Sequence, residues 1–487
     1  MTEPALALKS AQGRGVLAAT ILGSGMAMLD GTVVNVALPR IGRDLDAGLT
    51  ALQWTVNAYT LSLAGLLLLG GSLGDHLGRR RIYVLGVVWF TLASIGCALA
   101  PGAGVLIAMR LLQGVGAALL TPGSLAILEA VFRRDDRAAA VGAWSGLGGI
   151  ATAIGPVLGG VLVGVAPWGW RLVFVLNVPL AAAVIWMATR FVPETRDDEA
   201  EPHYDVAGVV LAAAGLALTV YALTEGPNRQ WPATLIVLLV AGVVLLVAFV
   251  VLEGRRRFPI MPLTLFGDRQ FSAANAVTFV MYAALGGSLF LIPVQLQRVA
   301  GFSPLAAGSA LLPLTLVMLL LSARAGRLAT RIGPRLPMTI GPIVAGLGLV
   351  LLVRVGRDAS YVIDVLPAVL VFALGLSATV APLTATALAS APPRQVGIAS
   401  AVNNDIARIA GLLAVAVLPA LAGITPAAYD RPVELSSGFH HAMLIAGGLC
   451  ALGGVLAFVL VAARDDSPVV PDPEPAAPHC PVSTPHP

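Results

Sequence analysis

The chain has 487 residues, of which 57% are hydrophobic and only 11% are charged, and its formal net charge is +4. An ordinary soluble domain is about 45–50% apolar and about 25% charged, so this chain has too little polar surface to cover a soluble core of its length. The composition excludes a cytosolic enzyme, a secreted disulfide scaffold and a disordered chain. It indicates a membrane protein with many spans.

Charge and cysteine usage narrow the expected partners. Lys9 is the only lysine, and the arginines are scattered over short segments, so no soluble basic face for nucleic acid is expected. The three cysteines, Cys97, Cys450 and Cys480, have no spacing typical of a metal site or a disulfide framework. We expect a small-molecule substrate and the lipid bilayer as partners, no nucleic acid, no metal, and a monomer.

Apolar segments long enough to cross a bilayer follow one another along the chain. A spanning helix needs about 20 predominantly apolar residues. Fourteen segments meet this requirement, and we number them as spans 1 to 14: residues 16–38, 52–72, 82–100, 105–127, 140–165, 172–190, 206–224, 233–252, 272–293, 305–323, 337–354, 362–388, 397–422 and 440–462. The sequence therefore predicts an all-α integral membrane protein.

The loops predict orientation and domain organisation. With the N-terminus in the cytoplasm, the inner segments carry 20 Lys and Arg residues and the outer loops carry 8, in agreement with the positive-inside rule. Both termini are then cytoplasmic. We predict the following organisation: an N-terminal tail (1–15), a six-helix half (16–190), charged loops around two inserted spans (191–269), a second six-helix half (270–462) and a Pro-rich disordered cytoplasmic tail (463–487).

An internal repeat supports two related halves. Residues 71–80 (GSLGDHLGRR) and 326–335 (GRLATRIGPR) share the pattern G-x-L-x-x-x-[LI]-G-x-R at an offset of 255 residues. The first copy lies between spans 2 and 3, and the second lies between spans 10 and 11. These are equivalent places in the two halves, and related halves around a central site are typical of secondary transporters.

The first copy, with the span motifs described below, resembles the major facilitator superfamily, in particular its fourteen-span drug:proton antiporter branch. The resemblance covers nearly the whole chain apart from the tails. It implies that Gly71, Asp75, Gly78, Arg79 and Arg80 form a conformational latch. We expect a loop with Asp75 at a helix N-terminus, where the arginines can pair with it or with the other half. The alternative is a basic loop that only sets topology. Thr330 replaces Asp75 in the second copy, so a weaker or absent latch is expected there.

Two charged residues are predicted inside spans 1 and 4. Asp30 lies in the segment LDGTVVNVALP with Asn35, and Arg110 begins the segment RLLQGVG with Gln113. A charge at the bilayer centre costs at least about 2.5–3.5 kcal/mol on insertion scales, so both are functional candidates. The resemblance implies proton coupling or substrate binding by these four residues. A nearby arginine would keep Asp30 ionised and burial would favour its neutral form, and the sequence leaves both open, as it does a purely structural carboxylate.

Span 5 carries a second motif of the family. Gly155, Pro156, Gly159 and Gly160 resemble the antiporter motif of exporters, with Ala151 in place of its usual leading glycine. Ala151, Gly155 and Gly159 recur every four residues, so they lie on one helix face where another backbone can approach closely. The resemblance implies export; the alternative is ordinary small-residue packing.

Asp405 and Arg408 in span 13 are three residues apart on one helical face. They could form an intrahelical ion pair or a second charge-relay or gating site. Trp168, Trp170 and Trp231 fall at predicted outer interfaces, where we expect them to be interfacial anchors.

These observations favour a proton-driven exporter of small amphiphilic compounds, such as antibiotics, working by alternating access. No G-x-x-x-x-G-K-[ST] segment is present, so no cofactor is expected and the energy would come from an ion gradient. A nutrient facilitator or symporter is the first alternative, and a lipid-modifying enzyme or a receptor is less favoured. The few mid-span acids favour neutral, zwitterionic or monocationic substrates. The Ala- and Arg-rich composition is typical of a GC-rich bacterium, which predicts location in its plasma (inner) membrane.

Overall fold

The computed structural model describes residues 6–196, 205–256, 259–392 and 395–463. Within these residues the secondary structure is helical apart from one isolated bridge between Leu6 and Phe132. Fourteen helices are long and apolar enough to cross a membrane, so the predicted number is confirmed. Spans 1 to 14 are Ala11–Asp44, Leu49–Leu77, Arg79–Ala98, Ala103–Val131, Arg134–Val165, Trp170–Phe191, Val206–Glu225, Ala233–Arg255, Arg269–Arg298, Pro304–Ile332, Arg335–Arg354, Tyr361–Ala389, Val396–Leu421 and Pro432–Leu460.

Most helices extend beyond the predicted apolar segments. Span 2 continues to Leu77 and span 10 continues to Ile332, although their last turns are polar. A helix rises about 1.5 Å per residue and the hydrocarbon core is about 30 Å thick, so a helix of about 30 residues projects into the headgroup region. Hydropathy finds only the part inside the hydrocarbon and therefore ends these spans too early.

The N-terminal segment is shorter than the predicted tail. The first helix begins at Ala11, capped by the Ser10 side chain, which accepts a hydrogen bond from the Gly13 N–H at 2.9 Å. The Leu8 N–H donates to Asp136 Oδ2 at 2.9 Å, so residues just before the helix pack on the half to which span 1 belongs. The predicted disordered tail, apart from residue 463, lies outside the described residues.

The two inserted spans pack against each other and then against both halves. Gly215 in span 7 and Gly242 in span 8 cross so closely that a Cβ on either would lie about 3 Å from the backbone oxygen of the other. One face of span 7 contributes Leu216 and Val220 to an apolar cluster with residues of spans 2 and 13. Span 8 is only 11% buried in its most apolar window, so its outer face is left for lipid.

The two ends of the helical bundle differ in charge. The repeat copies, with Gly78 and Gly333, lie at one end, which we call the basic end. The other end, at residues 44–49 and 299–303, we call the opposite end. Spans 1 to 6 bury one large apolar cluster of their own, and a second cluster joins residues of spans 1 to 6 to spans 9 to 14. The core is thus continuous across the two halves.

Candidate functional site

The centre of the first half is a buried ion pair between spans 1 and 4. Arg110 Nη1 lies 2.5 Å from Asp30 Oδ2, and the two side chains are 1% and 0% exposed. The sequence left open whether Arg110 lies beside Asp30, and the structure places the two side chains in contact. Two charges removed from water are stable only when the remaining donors and acceptors are also satisfied.

Neutral polar side chains complete the hydrogen bonds of the Asp30 carboxylate. Its Oδ1 accepts from Gln113 Nε2 at 2.9 Å and from Asn177 Nδ2 at 3.3 Å. Ser94 Oγ accepts from Gln113 Nε2 at 2.8 Å and from Asn177 Nδ2 at 3.2 Å, so it ties the two amides together. Spans 3, 4 and 6 contribute to this network besides span 1, so the Asp30 carboxylate joins four helices of the first half.

The Arg110 guanidinium also donates hydrogen bonds to neighbouring protein groups. Arg110 Nε donates to the Thr55 carbonyl at 2.9 Å, and Nη1 also donates to Gln113 Oε1 at 2.7 Å. The Tyr59 ring lies 4.4 Å from Arg110 Cζ, close enough for a cation–π contact. Protein groups therefore accept from Nε and from Nη1 of this guanidinium.

Sequence reasoning missed three members of this network: Ser94, Asn177 and Tyr59. Asn177 is the first residue of the second helical segment of span 6, after the interruption at Leu176, and its amide lies beside Asp30. A buried amide in an otherwise apolar span is the signal that could have identified Asn177. Ser94 carries no such signal, because serines are common in membrane helices.

Asn35 does not join the Asp30 network. It lines a cavity of about 330 Å³ between the halves, and its Oδ1 has no hydrogen-bond partner. The cavity is bounded by spans 1 and 2 from the first half and by spans 9 and 13 from the second half. Its lining residues are Gly31, Thr32, Asn35, Val56, Asn57, Thr60, Tyr282, Leu285, Gly286, Leu289, Phe290, Asn404, Ala407, Arg408, Gly411, Leu412 and Val415.

The ion pair lies directly behind the wall of this cavity. Asp30 precedes the lining residue Gly31, and the Thr55 carbonyl that accepts from Arg110 precedes the lining residue Val56. A shift of either helix that alters the ion pair therefore alters the cavity wall.

Asp405 and Arg408 do not form the predicted intrahelical ion pair. Asp405 is buried with its Oδ1 unpartnered, whereas Arg408 is half-buried and lines the cavity. Nearby, Asn403 Nδ2 donates to Asn275 Oδ1 at 2.9 Å and to Thr278 Oγ1 at 3.0 Å, which joins spans 13 and 9.

The span-5 motif packs on span 1 beside Asp30. A Cβ added to Gly155 would lie 2.1 Å from Thr32 Oγ1, and one added to Gly159 would lie 2.8 Å from Val33 Cγ2. Thr32 Oγ1 also donates to the Thr152 carbonyl at 3.2 Å. The predicted close approach on this face is confirmed.

Gly160 faces the other half. Its Cβ would lie 2.7 Å from the Pro304 carbonyl oxygen, and a Cβ on Gly308 would lie 2.1 Å from the Pro156 carbonyl oxygen. Spans 5 and 10 therefore touch backbone to backbone between the cavity and the opposite end. Sequence reasoning did not find Gly308, because nothing in the sequence indicates which glycine of the second half meets span 5.

Two glutamines link the halves at the same end. Gln53 Nε2 donates to the Val415 carbonyl at 2.7 Å, and Gln297 Nε2 donates to the Val36 carbonyl at 2.9 Å. Together with the Gly160–Gly308 contact, these bonds hold the halves together at the opposite end.

The first repeat copy is mostly helical, so the prediction of a loop with Asp75 at a helix N-terminus is wrong. Asp75 lies in the last turn of span 2, and only Gly78 breaks the helix, at a φ of 110°. The Arg79 guanidinium binds Asp75 Oδ1 at 2.7 Å. The glycine is needed because an L side chain rarely adopts this backbone conformation.

The arginines of this copy also pair with the charged segment that follows span 6. Arg80 and Arg81 lie 3.6 and 3.7 Å from Glu194 Oε2, and the Arg79 N–H donates to the Thr195 carbonyl at 2.9 Å. Glu194 follows span 6, so the motif joins the beginning of span 3 to the end of the first half. Sequence reasoning could have identified Glu194 from its position in the charged segment after span 6.

The second copy repeats the backbone but not the ion pairs. Gly333, at the same offset of 255 residues, also has a positive φ of 85°. Thr330 Oγ1 donates to the Arg327 carbonyl at 2.8 Å, and Arg335 lies over the Phe458 ring at 4.3 Å. Within the described residues, no carboxylate pairs with Arg327, Arg331 or Arg335.

One predicted interfacial anchor is wrong. Trp170 is fully buried, and its Nε1 donates to Asp44 Oδ2 at 2.8 Å. Trp168 and Trp231 are exposed and so remain predicted anchors.

Two related helical halves that enclose a central cavity, with a buried charge pair behind its wall, belong to a membrane transporter and not to an enzyme. Residues 20–415 match the Major Facilitator Superfamily model. The chain belongs to this superfamily, and the resemblance found in its motifs is confirmed.

Relatives and solved structures agree with this assignment. The chain is 37% identical to the multidrug resistance protein Stp of Mycobacterium tuberculosis over 82% of this chain and 74% of that protein. It is 35% identical to the puromycin resistance protein pur8 of Streptomyces alboniger, over 93% of this chain and 91% of that protein. It is also 35% identical to the methylenomycin A resistance protein of Bacillus subtilis, over 94% of this chain and 96% of that protein.

Among solved structures, a bacterial homologue of the human lysosomal transporter Spinster, in an inward-facing and unoccupied conformation, has a TM-score of 0.66 at 17% identity over 93% of this chain and 97% of its own. A D-xylose–proton symporter has a TM-score of 0.65 at 14% identity (92% and 98%). These proteins share the fold.

Proposed function

We propose that the chain is a proton-coupled exporter of small amphiphilic compounds, acting as a monomer in the plasma membrane of a bacterium. The resistance proteins to which it is 35–37% identical support export of toxic compounds. The excess of arginine at the basic end supports a cytoplasmic location for that end. A charge crossing 100 mV is worth about 2.3 kcal/mol, so one or two protons can drive substantial extrusion.

The observation that carries proton coupling is the buried Asp30–Arg110 pair behind the cavity wall. Asp30 is the group that would carry the proton, because Arg110 does not release its own proton under ordinary conditions. Protonation of Asp30 would remove the attraction to Arg110, while Gln113 and the Thr55 carbonyl would still accept from the guanidinium. Spans 1 and 4 could then shift with respect to each other.

Alternating access would use the contact between spans 5 and 10. When the halves separate at the opposite end, the Gly160–Gly308 contact and the two glutamine bonds must break. Gly155 and Gly159 would keep span 5 on span 1. Span 1, which carries Asp30, and span 5, which contacts the second half, would then move as a unit. This gives a path by which the charge state of Asp30 could control closure.

The proposal is tested in proteoliposomes that contain a pH-sensitive dye and carry an imposed pH gradient. Puromycin or methylenomycin A is added to wild type, to Asp30→Asn and to Asp46→Asn. Asp46 is an exposed acid beyond the end of span 1 with a φ of 48°, a conformation that asparagine also adopts, so it is the matched control.

We expect compound-dependent proton movement in wild type and Asp46→Asn and none in Asp30→Asn. If the compounds move without proton flux and Asp30→Asn behaves as wild type, Asp30 is structural and the protein is a facilitator.

A further inference from the structure

The central cavity has one fixed cation in its wall and no acid. Apart from Tyr282, Arg408 is the only ionisable side chain among the lining residues, and no carboxylate lies among them. Within the described residues, Arg408 makes no ion pair and no hydrogen bond with another side chain. The other central arginine, Arg110, is neutralised by Asp30 behind the wall. Arg408 is therefore the charge that a molecule in the cavity would meet.

The face of span 13 that carries Arg408 is turned toward the cavity. Asn404, Arg408, Gly411 and Val415 recur at helical spacing and all line it. Asp405, the nearest carboxylate along this helix, is buried outside the lining and forms no ion pair with Arg408. It offsets part of the positive potential but cannot occupy the ligand position.

Unpartnered amides stand across the cavity from Arg408. Asn57 is 0% exposed, yet neither its Nδ2 nor its Oδ1 has a hydrogen-bond partner, and Asn35 Oδ1 is unpartnered as well. Buried polar groups are almost always hydrogen-bonded, so an orphaned amide facing a cavity is available to the polar atoms of a molecule bound there. Both asparagines lie on the first half and Arg408 lies on the second, so one ligand could contact both halves.

The remaining lining sets size and shape. Leu285, Leu289, Phe290 and Leu412 provide apolar and aromatic walls, and the volume of about 330 Å³ is near the lower limit for small-molecule sites, about 300–1,000 Å³. A compact body of a few rings fits such a space. A guanidinium favours carboxylates and other delocalised anions, which it can bind with two parallel hydrogen bonds.

The geometry points to a compact aromatic monoanion as the substrate class, with its carboxylate or ionised enol against Arg408 and its other polar atoms against Asn57 and Asn35. This inference rests on the proposed export function and specifies the substrate for the same cavity. It replaces the expectation of a neutral, zwitterionic or monocationic substrate, which followed from the small number of acids within the spans.

The test uses three probes with one ring system and different charges: 1-naphthaleneacetate, 1-naphthaleneacetamide and 2-(1-naphthyl)ethylammonium. Their binding to the purified full chain in lipid nanodiscs is measured by isothermal titration calorimetry. A hydrogen bond to a charged partner is worth enough for the acetate to bind about tenfold or more tightly than the other two. Arg408→Gln should abolish this preference, and Arg408→Lys should retain part of it. Arg357→Gln, in the exposed turn after span 11, should leave it unchanged.

Equal or tighter binding of the ammonium compound, survival of the acetate preference in Arg408→Gln, or binding of none of the three would overturn the inference. The lysine variant keeps the test decisive if Arg408→Gln does not fold. Transport of the same probes in proteoliposomes separates the two proposals. Transport of the ammonium but not the acetate leaves export standing and refutes the anion site. Arg408-dependent binding of the acetate without transport of any probe supports the site and contradicts export.

Discussion

The two halves differ in the pairing of their central charges and of the arginines in their repeat copies. The first half pairs Asp30 with Arg110 and pairs the arginines of its repeat copy with Asp75 and Glu194. The second half leaves Arg408 and the arginines of its own copy without carboxylate partners among the described residues. A paired charge stabilises a fixed arrangement of helices, whereas an unpaired charge is available to a ligand. The first half is therefore suited to coupling and the second half to recognition.

We expect the largest effect when the stability of variants at the two central arginines is compared. Arg110→Ala leaves Asp30 buried without its counter-ion, which should lower the free energy of unfolding by about 3–5 kcal/mol. Arg408→Ala removes a charge that has no protein partner and should change it by less than about 1 kcal/mol. Chemical unfolding of the purified variants in detergent measures both.

The double variant Asp30→Asn/Arg110→Gln is the control, because it removes both charges and should recover much of the lost stability. A cost below about 1 kcal/mol for Arg110→Ala would mean that Asp30 is already neutral in the folded protein, contrary to the pairing described here.

The next effect concerns the contact that joins the halves. Gly308→Val puts a side chain where the Pro156 carbonyl lies at 2.1 Å, so the opposite end cannot close as described. We expect transport to fall about tenfold or more, because overpacking a close contact costs about 1–3 kcal/mol and about 1.4 kcal/mol corresponds to a factor of ten. Gly164→Val is the matched control, because a Cβ at Gly164 meets nothing within 4 Å.

Distances between spin labels at the two ends of spans 5 and 10 should show the opposite end held apart in Gly308→Val and unchanged in Gly164→Val. Normal transport by Gly308→Val would show that this contact is not part of the cycle.

The smallest effect compares the two helix breaks. Gly78 and Gly333 both have a positive φ, so alanine at either should cost about 1–3 kcal/mol in unfolding free energy. At Gly78 the new Cβ also lies 2.5 Å from Glu194 Oε1, so the ion pairs with Arg80 and Arg81 are displaced as well. Transport should therefore fall in Gly78→Ala and not in Gly333→Ala.

Glu194→Gln tests whether transport depends on the ion pairs with Arg80 and Arg81, without changing the backbone. It should reduce transport as Gly78→Ala does but leave the unfolding free energy within about 1 kcal/mol, as expected for partly exposed ion pairs. Equal transport by both alanine variants and by Glu194→Gln would remove the functional distinction between the two copies.

The success of sequence reasoning differed between elements for physical reasons. Spans 7 and 8 were predicted to within a few residues, because their charged ends coincide with the limits of the apolar segment. Span 2 was ended too early, since a helix in the headgroup region needs no apolar side chains, and this misplaced Asp75. The inserted role of spans 7 and 8 and the domain limits stay predictions.

For the site, the residue types were predictable but their neighbours were not. Asp30 and Arg110 stand out because burying a charge in the hydrocarbon core costs free energy, so such residues are rare and usually functional. Asn35 was grouped with them because it lies in the same family-like motif as Asp30, yet five residues along a helix turn it toward the cavity instead. Asp405 and Arg408 were grouped because they are three residues apart on one helix, and they do not pair.

The sequence by itself determined the fourteen helices, the two repeated glycine breaks and the presence of intramembrane charges, because the bilayer imposes length and polarity on each segment separately. Only the tertiary structure decided that Asp30 meets Arg110 and Asn177, that Gly160 meets Gly308, and that Arg408 faces the cavity unpaired. These contacts join residues far apart in the chain. They depend on the rotation and depth of each packed helix, which the apolar pattern of a single span does not specify.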